Sequence, residues 1–202
     1  MTVSWTAHRF AGGLLALDTA NTVVLRVDPR KTFDRFEDAA EIARFAQAAG
    51  DFRAAELGGR RLDAREPERI APVVLSIREA VDRLFRNAVR DGGIDTAGLP
   101  SLLEACAAGL AGTRETIGWP AAPFGDPATP IALEAALAVS ALSLLAPGML
   151  ERLKICPNCG WLFLDRSRNS SRLWCDMTVC GNRRRASRHY HRRRAQREMD
   201  DV

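Results

Sequence analysis

The chain is short of lysine, of aromatic residues and of long apolar runs, and each shortage removes a class of protein. Only Lys31 and Lys154 are lysines among 29 basic side chains. The cationic surface is therefore built from arginine, whose planar fork matches phosphate oxygens. Aromatic residues make up 6% of the chain, which leaves alanine and leucine to fill the interior. The most membrane-like stretch, 135–150, is uncharged but is interrupted by Ser140, Ser143, Pro147 and Gly148. It falls short of the roughly 20 strongly apolar residues that span a bilayer, so no membrane partner is expected. Residues 1–9 lack the basic-then-apolar pattern of a secretory leader, and cytoplasmic residence is the expectation. No phosphate loop or dinucleotide fingerprint occurs, and no cysteine–histidine pairing is indicated, so an enzyme is not expected.

What the chain does have is unevenly placed. Its 202 residues suffice for one ordinary domain and a small appendix. Residues 1–150 carry 16 basic against 19 acidic side chains, whereas residues 151–202 carry 13 against 6. The division predicts a helical domain over 1–150 and a basic module over 151–202, and a basic arm usually meets a polyanion.

The body reads as mainly α. A helix is expected from Thr32 through Ala49, another from Pro72 to Val89, where Val74, Ile77, Val81, Leu84, Phe85 and Ala88 form one stripe, and a third from Leu99 to Leu110. Residues 113–130 read as a loop or a short strand pair. A last body helix is expected from Thr129 as cap, with Pro130 at its first position, through Ala146; being apolar all round, it belongs at the centre. Asp18, Asn21 and Thr22 lie in an otherwise apolar run. Either they bond to nearby backbone, or they line a small-molecule pocket with Arg78, which interrupts the second helix's stripe.

Four of the five cysteines fall between positions 156 and 180, with the spacing C-x2-C-x15-C-x4-C. In a reducing compartment such a cluster reads as a metal site rather than a disulfide framework. Cys156, Cys159, Cys175 and Cys180 would fill a tetrahedral sphere around one Zn2+, leaving no position for catalytic water, so the ion is structural. The rival chemistries are an iron–sulfur cluster, or a set in which His189 or His191 replaces one cysteine. Pro157-Asn158 makes the knuckle turn, Gly160 supplies a positive φ, and Trp161-Leu-Phe-Leu forms a strand with Arg152-Leu-Lys-Ile-Cys as hairpin partner. Knuckle, hairpin and following helix give a treble-clef-like or ribbon-like module. So small a core needs its metal to fold.

After Cys180 no acidic residue occurs until Glu198, and eight arginines lie between Gly181 and Arg197. As a helix this segment sets Val179, Ala186 and Tyr190 on an apolar stripe and gathers Arg184, Arg185, Arg188 and Arg192 on the opposite arc. A helix so charged fits a nucleic acid better than bare solvent, because phosphates relieve its like-charge repulsion. Few aromatic side chains are free to stack on bases, which favours DNA over RNA.

Residues 159–183, with the tetrapeptide Cys180-Gly181-Asn182-Arg183, resemble the CGNR zinc finger proteins. The body resembles the ABATE domain that precedes this finger, through Phe10-x-x-Gly13-x-x-x-Leu17-Asp18-x-x-Asn21-Thr22 and Ile77-Arg78-Glu79-Ala80. The resemblance implies a stress-related bacterial transcription regulator with a nucleic-acid-binding finger and a ligand-sensing body. Asn182 and Arg183 would open the reading helix, with Arg184, Arg185, Arg188 and Arg192 on phosphates or base edges. A regulator reading a palindrome would be a homodimer, joined through the body since no heptads occur. The alternatives are an RNA-binding protein, or an adaptor whose finger grips an acidic partner protein.

Overall fold

The computed structural model describes residues 2–113 and 129–186. Among them the elements run α1 (Leu15–Ala20), β1 (Val23–Val24), β2 (Phe33–Asp34), α2 (Ala40–Phe52), β3 (Leu62–Asp63), α3 (Pro67–Asp91), α4 (Leu99–Leu110), β4 (Ile131–Ala132), α5 (Leu133–Ser143), α6 (Met149–Arg152), β5 (Leu153–Ile155) and β6 (Leu162–Leu164). The architecture is mainly α with a small cysteine-bearing module at its C-terminal end.

The apolar stripe expected from position 72 is the buried face of α3, with Val74, Ile77, Val81, Leu84, Phe85 and Ala88 all enclosed. The helix is longer than its stripe. It starts at Pro67, which needs no N–H partner in the first turn, and carries Pro72 inside it. It ends at Gly92, whose φ of 78° closes the last turn. α4 has the predicted bounds. α5 packs against α1, α3 and α4 and buries Leu133, Ala135, Leu137, Ala138 and Ala141, the central position its all-round apolar character required.

Two predicted helix starts are corrected. Residues 32–39 are not helical: Phe33–Asp34 pairs antiparallel with Val23–Val24, and α2 begins at Ala40. Asp34 is the cause, since its carboxylate accepts the Phe36 N–H in a local turn and binds the Arg78 guanidinium. Likewise Thr129 and Pro130 do not open the last body helix. Ile131–Ala132 forms a parallel bridge with Leu62–Asp63, and the Thr129 carbonyl accepts from Arg60, so α5 starts at Leu133. Most of the 113–130 loop lies outside the described residues.

β5 and β6 form the predicted hairpin in the register Leu153↔Leu164, Lys154↔Phe163 and Ile155↔Leu162. Both faces of β6 are buried, with different surroundings. Leu153, Leu162 and Leu164 join the apolar core of the body, while Trp161 and Phe163 join Cys156, Cys175 and Cys180 in a second, smaller core. Alternation along one strand thus makes the hairpin a wall shared by two cores. No helix among the described residues is long and apolar enough to cross a membrane.

Candidate metal centre and its docking on the body

The knuckle is shaped by its backbone. Cys156 N–H donates to the Trp161 carbonyl and Gly160 N–H to the Cys156 carbonyl, both at 2.8 Å, and Gly160 takes a φ of 74° to close the turn. Cys175 follows from the segment 165–174, and Cys180 lies in a π-helical turn, Met177–Gly181. This turn starts at Asp176, whose carboxylate accepts the N–H groups of Thr178 and Val179. The x4 gap, wider than in the commonest ribbons, is absorbed by that wide turn.

All four sulfurs lie within 4.8 Å of one another. Cys159 and Cys175 Sγ are 3.5 Å apart, Cys175 and Cys180 Sγ 3.6 Å. A zinc–sulfur bond of about 2.3 Å sets the edge of a ZnS4 tetrahedron at about 3.8 Å, whereas a disulfide needs about 2.05 Å. The cluster is sized for one tetrahedral ion. The thiols are tightly coupled: hydrogen bonds from Cys159 and Cys175 hold the Cys156 thiol far below its ordinary range, while Cys159 and Cys175 are pushed well above theirs by the Cys156 thiolate beside them. Four thiolates cannot coexist at this distance without a cation. Cys106, by contrast, is buried in the body, where burial lifts its thiol to about 11 and leaves it inert.

Two carboxylates that sequence reasoning missed organise the chain from the first ligand pair to the last cysteine. Asp165, fully buried, accepts from Lys154 Nζ at 2.7 Å and from the N–H groups of Ser167 and Arg172 at 2.9 and 2.7 Å. Burial opposes its charge, but these donors hold it well below the usual carboxylate range. Asp176 is lowered in the same way, against its own burial, by Thr178 and His8; His8 Nδ1 lies 2.8 Å from Asp176 Oδ2, and its ring stacks on Trp161. Asp176 directly before Met177-Thr-Val carried a cap signal in the sequence. Asp165 carried none, because its donors come from three separate positions.

The candidate ligand residues take different places. Asn21 clasps β6: its Nδ2 donates to the Leu162 carbonyl at 2.8 Å and its Oδ1 accepts the Leu162 N–H at 3.0 Å. Asp18 accepts the Gly12 N–H and Arg53 Nε, fixing the bend from which the Gly12 carbonyl accepts Leu164 N–H at 2.8 Å. Gly13 follows with a φ of 93°, and a side chain there would press on Leu164. Arg78 binds Asp34, Glu79 and Thr22. Asp18, Asn21 and Arg78 are each held by protein partners. From α3, Arg86 reaches the Gly160 carbonyl at 2.7 Å while paired to Asp82.

Of the arm, 182–186 forms a helical turn directly after the π-turn, and Asn182, Arg183, Arg184 and Arg185 are exposed on it. Asn182 Nδ2 donates back to the Thr178 carbonyl at 2.9 Å. Arg188, Arg192, His189 and His191 lie outside the described residues.

Fold and site together define a four-cysteine zinc-finger module docked on a helical body. Residues 152–193 match the family model of the CGNR zinc finger, a span that includes every cysteine of the cluster. No curated protein and no solved structure matches the chain. The four cysteines are the site of a single zinc ion.

Proposed function

We propose that the protein is a nucleic-acid-binding transcription regulator, with DNA favoured over RNA, in which the zinc site mounts an arginine helix on the body. The observation that carries this is the exposure of Arg183, Arg184 and Arg185 on one helical turn immediately behind the ligand Cys180. A structural ion adjacent to a cationic helix fixes the direction of the helix, and a fixed helix can follow a groove or a backbone. The closed cysteine set gives zinc no open position, so the metal supports shape and takes no part in a reaction. Effector sensing and dimerisation by the body belong to the same proposal.

The test is a salt titration of zinc-loaded protein on a labelled mixed-sequence duplex and on an RNA of the same length. Binding whose log K falls by about 0.9 per phosphate contact, with a shallower slope for Arg184→Gln/Arg188→Gln/Arg192→Gln, supports the arm. Indifference to duplex DNA at low salt removes the regulator mechanism, and preference for RNA at matched salt makes RNA the target.

A further inference from the structure

Beside the metal module, an open groove of about 580 Å³ in the body has Arg9 and Arg35 in its walls. Arg78 and Arg86, buried like Arg35, are paired to carboxylates, whereas Arg35 and the half-buried Arg9 form no ion pair among the described residues. Arg35 is only 6% exposed and its side chain makes one hydrogen bond, to the Asn21 carbonyl at 3.2 Å. Its guanidinium lies 5.4 Å from the ring centres of both Phe33 and Trp161. The Arg9 side chain makes no hydrogen bond among the described residues, and its Nε is buried without a partner. Trp161 Nε1, on the ring beside Arg35, is a second buried donor left unpaired.

The charges reinforce the point. Burial and the neighbouring Arg9 push the Arg35 guanidinium down against the opposing pull of Asp34 and Cys159, and burial and Arg183 lower Arg9. Three like charges, two from the body and one from the opening of the arm, thus converge with donors unspent. Asp34, Glu37, Asp38 and Glu41 also line the groove, and none of them forms an ion pair with Arg9 or Arg35 among the described residues. Asp34 is taken by Arg78, Glu41 by Arg44, Trp5 and the Val3 N–H, and Glu37 and Asp38 are exposed.

We propose that Arg9 and Arg35, next to Arg183, form a phosphate-binding site at the seam between body and finger. Two arginine forks and a desolvated wall are the chemistry that recognises a phosphate dianion or a phosphodiester. The phosphate comes from a nucleic-acid backbone lying on the arm, which rests on the function proposed above, or from a free phosphorylated compound.

Zinc-loaded full-length protein is titrated with inorganic phosphate by calorimetry, against chloride at equal ionic strength, and separately with the labelled duplex over a range of salt. Arg9→Gln is the main variant, because the Arg9 side chain holds no hydrogen bond whose loss would unfold the seam; Arg35→Lys, which keeps the charge and loses the fork, is the second. Saturable phosphate binding, weakened about tenfold by Arg9→Gln, is the expected result, as for loss of one charge-assisted contact. A duplex salt slope lowered by about one in Arg9→Gln assigns the site to the nucleic-acid backbone. An unchanged slope with phosphate binding lost assigns it to a free phosphorylated compound. If the duplex is not bound at all and phosphate still is, the regulator proposal fails and the phosphate site stands. The site is overturned if phosphate does not bind and the slope is unaltered, or if Arg9→Gln acts only by speeding zinc loss to a chelator, which would mean that the arginines balance the thiolate charge.

Discussion

The two cores that share the β5–β6 hairpin are built on different principles. On the body side, Leu153, Leu162 and Leu164 enter a large apolar cluster with α1, α3, α4 and α5, held by burial and by hydrogen bonds with Asn21 and Gly12 with no metal involved. On the other side, Cys156, Trp161, Phe163, Cys175 and Cys180 make a core too small to stand by itself, closed by partly buried Ala11, Cys159 and Trp174. The first half of the finger is therefore part of the body, and only the second half depends on the ion. A zinc module read from sequence as an appendix is, in space, half scaffold and half metal-held flap. For the proposed function this matters because the arm leaves from the metal-held half.

The largest effect separates the halves outright. Cys175→Ser removes a fully buried ligand, and structural zinc sites of this kind are worth on the order of 10–16 kcal/mol in apparent binding at neutral pH. Stoichiometric zinc is expected to be lost and 172–186 to become protease-sensitive, while the helical body keeps its far-ultraviolet signal; metal analysis and limited proteolysis read both. Next, Leu162→Ala opens a cavity on the body side and Phe163→Ala one on the metal side. The leucine change is expected to cost about 2–5 kcal/mol of body stability in denaturant titration with zinc retained. The phenylalanine change should instead raise the rate at which a chelator strips the ion. Equal effects of the two variants on both readouts would erase the distinction.

Smaller still is the clasp between the end of α1 and β6. Asn21→Ala removes both hydrogen bonds to Leu162 and strands its N–H and carbonyl, a loss of about 1–3 kcal/mol by denaturant titration. The smallest effect is a pH gradient confined to the body. Burial raises the Asp18 carboxyl to about 7, although Arg53 opposes the rise, whereas in the unfolded chain an aspartate titrates near 4. Between those values the folded chain holds more protons, so the Asp18 contribution is greatest below about pH 4 and is lost as pH climbs to 7, with a slope under about 1.4 kcal/mol per pH unit. Unfolding at pH 5 and pH 7 checks it, and Asp18→Asn should flatten the difference.

Local chemistry was legible before the structure; long-range partnership was not. The cysteine spacing, the positive φ at Gly160, the hairpin 152–164 and the bounds of α4 follow from short stretches whose signals agree. The false helix start at Thr32 and the false cap at Thr129 fail for one reason. Each segment makes a two-residue bridge to a distant one, and Asp34 and Ile131 carry no local trace of Arg78 or Arg61. Asp18 and Asn21 were recognisable as polar groups needing partners, but Leu162, 141 positions away, could not be seen as the partner of Asn21. At Asp165 the residue is an ordinary turn aspartate in sequence, and only the fold brings Lys154 and Arg172 to it.

The most direct test of the two-core account is native-state hydrogen exchange on the full chain, with zinc bound and after chelation. The account predicts that the amides of Leu162 and Leu164, bonded to Asn21 and to the Gly12 carbonyl, stay protected when the ion is removed. Those of Cys180 and Gly181, which donate to the Asp176 carbonyl within the metal-held turn, should exchange freely. Simultaneous loss of protection at all four positions would show that the ion holds the whole finger, and would contradict the account.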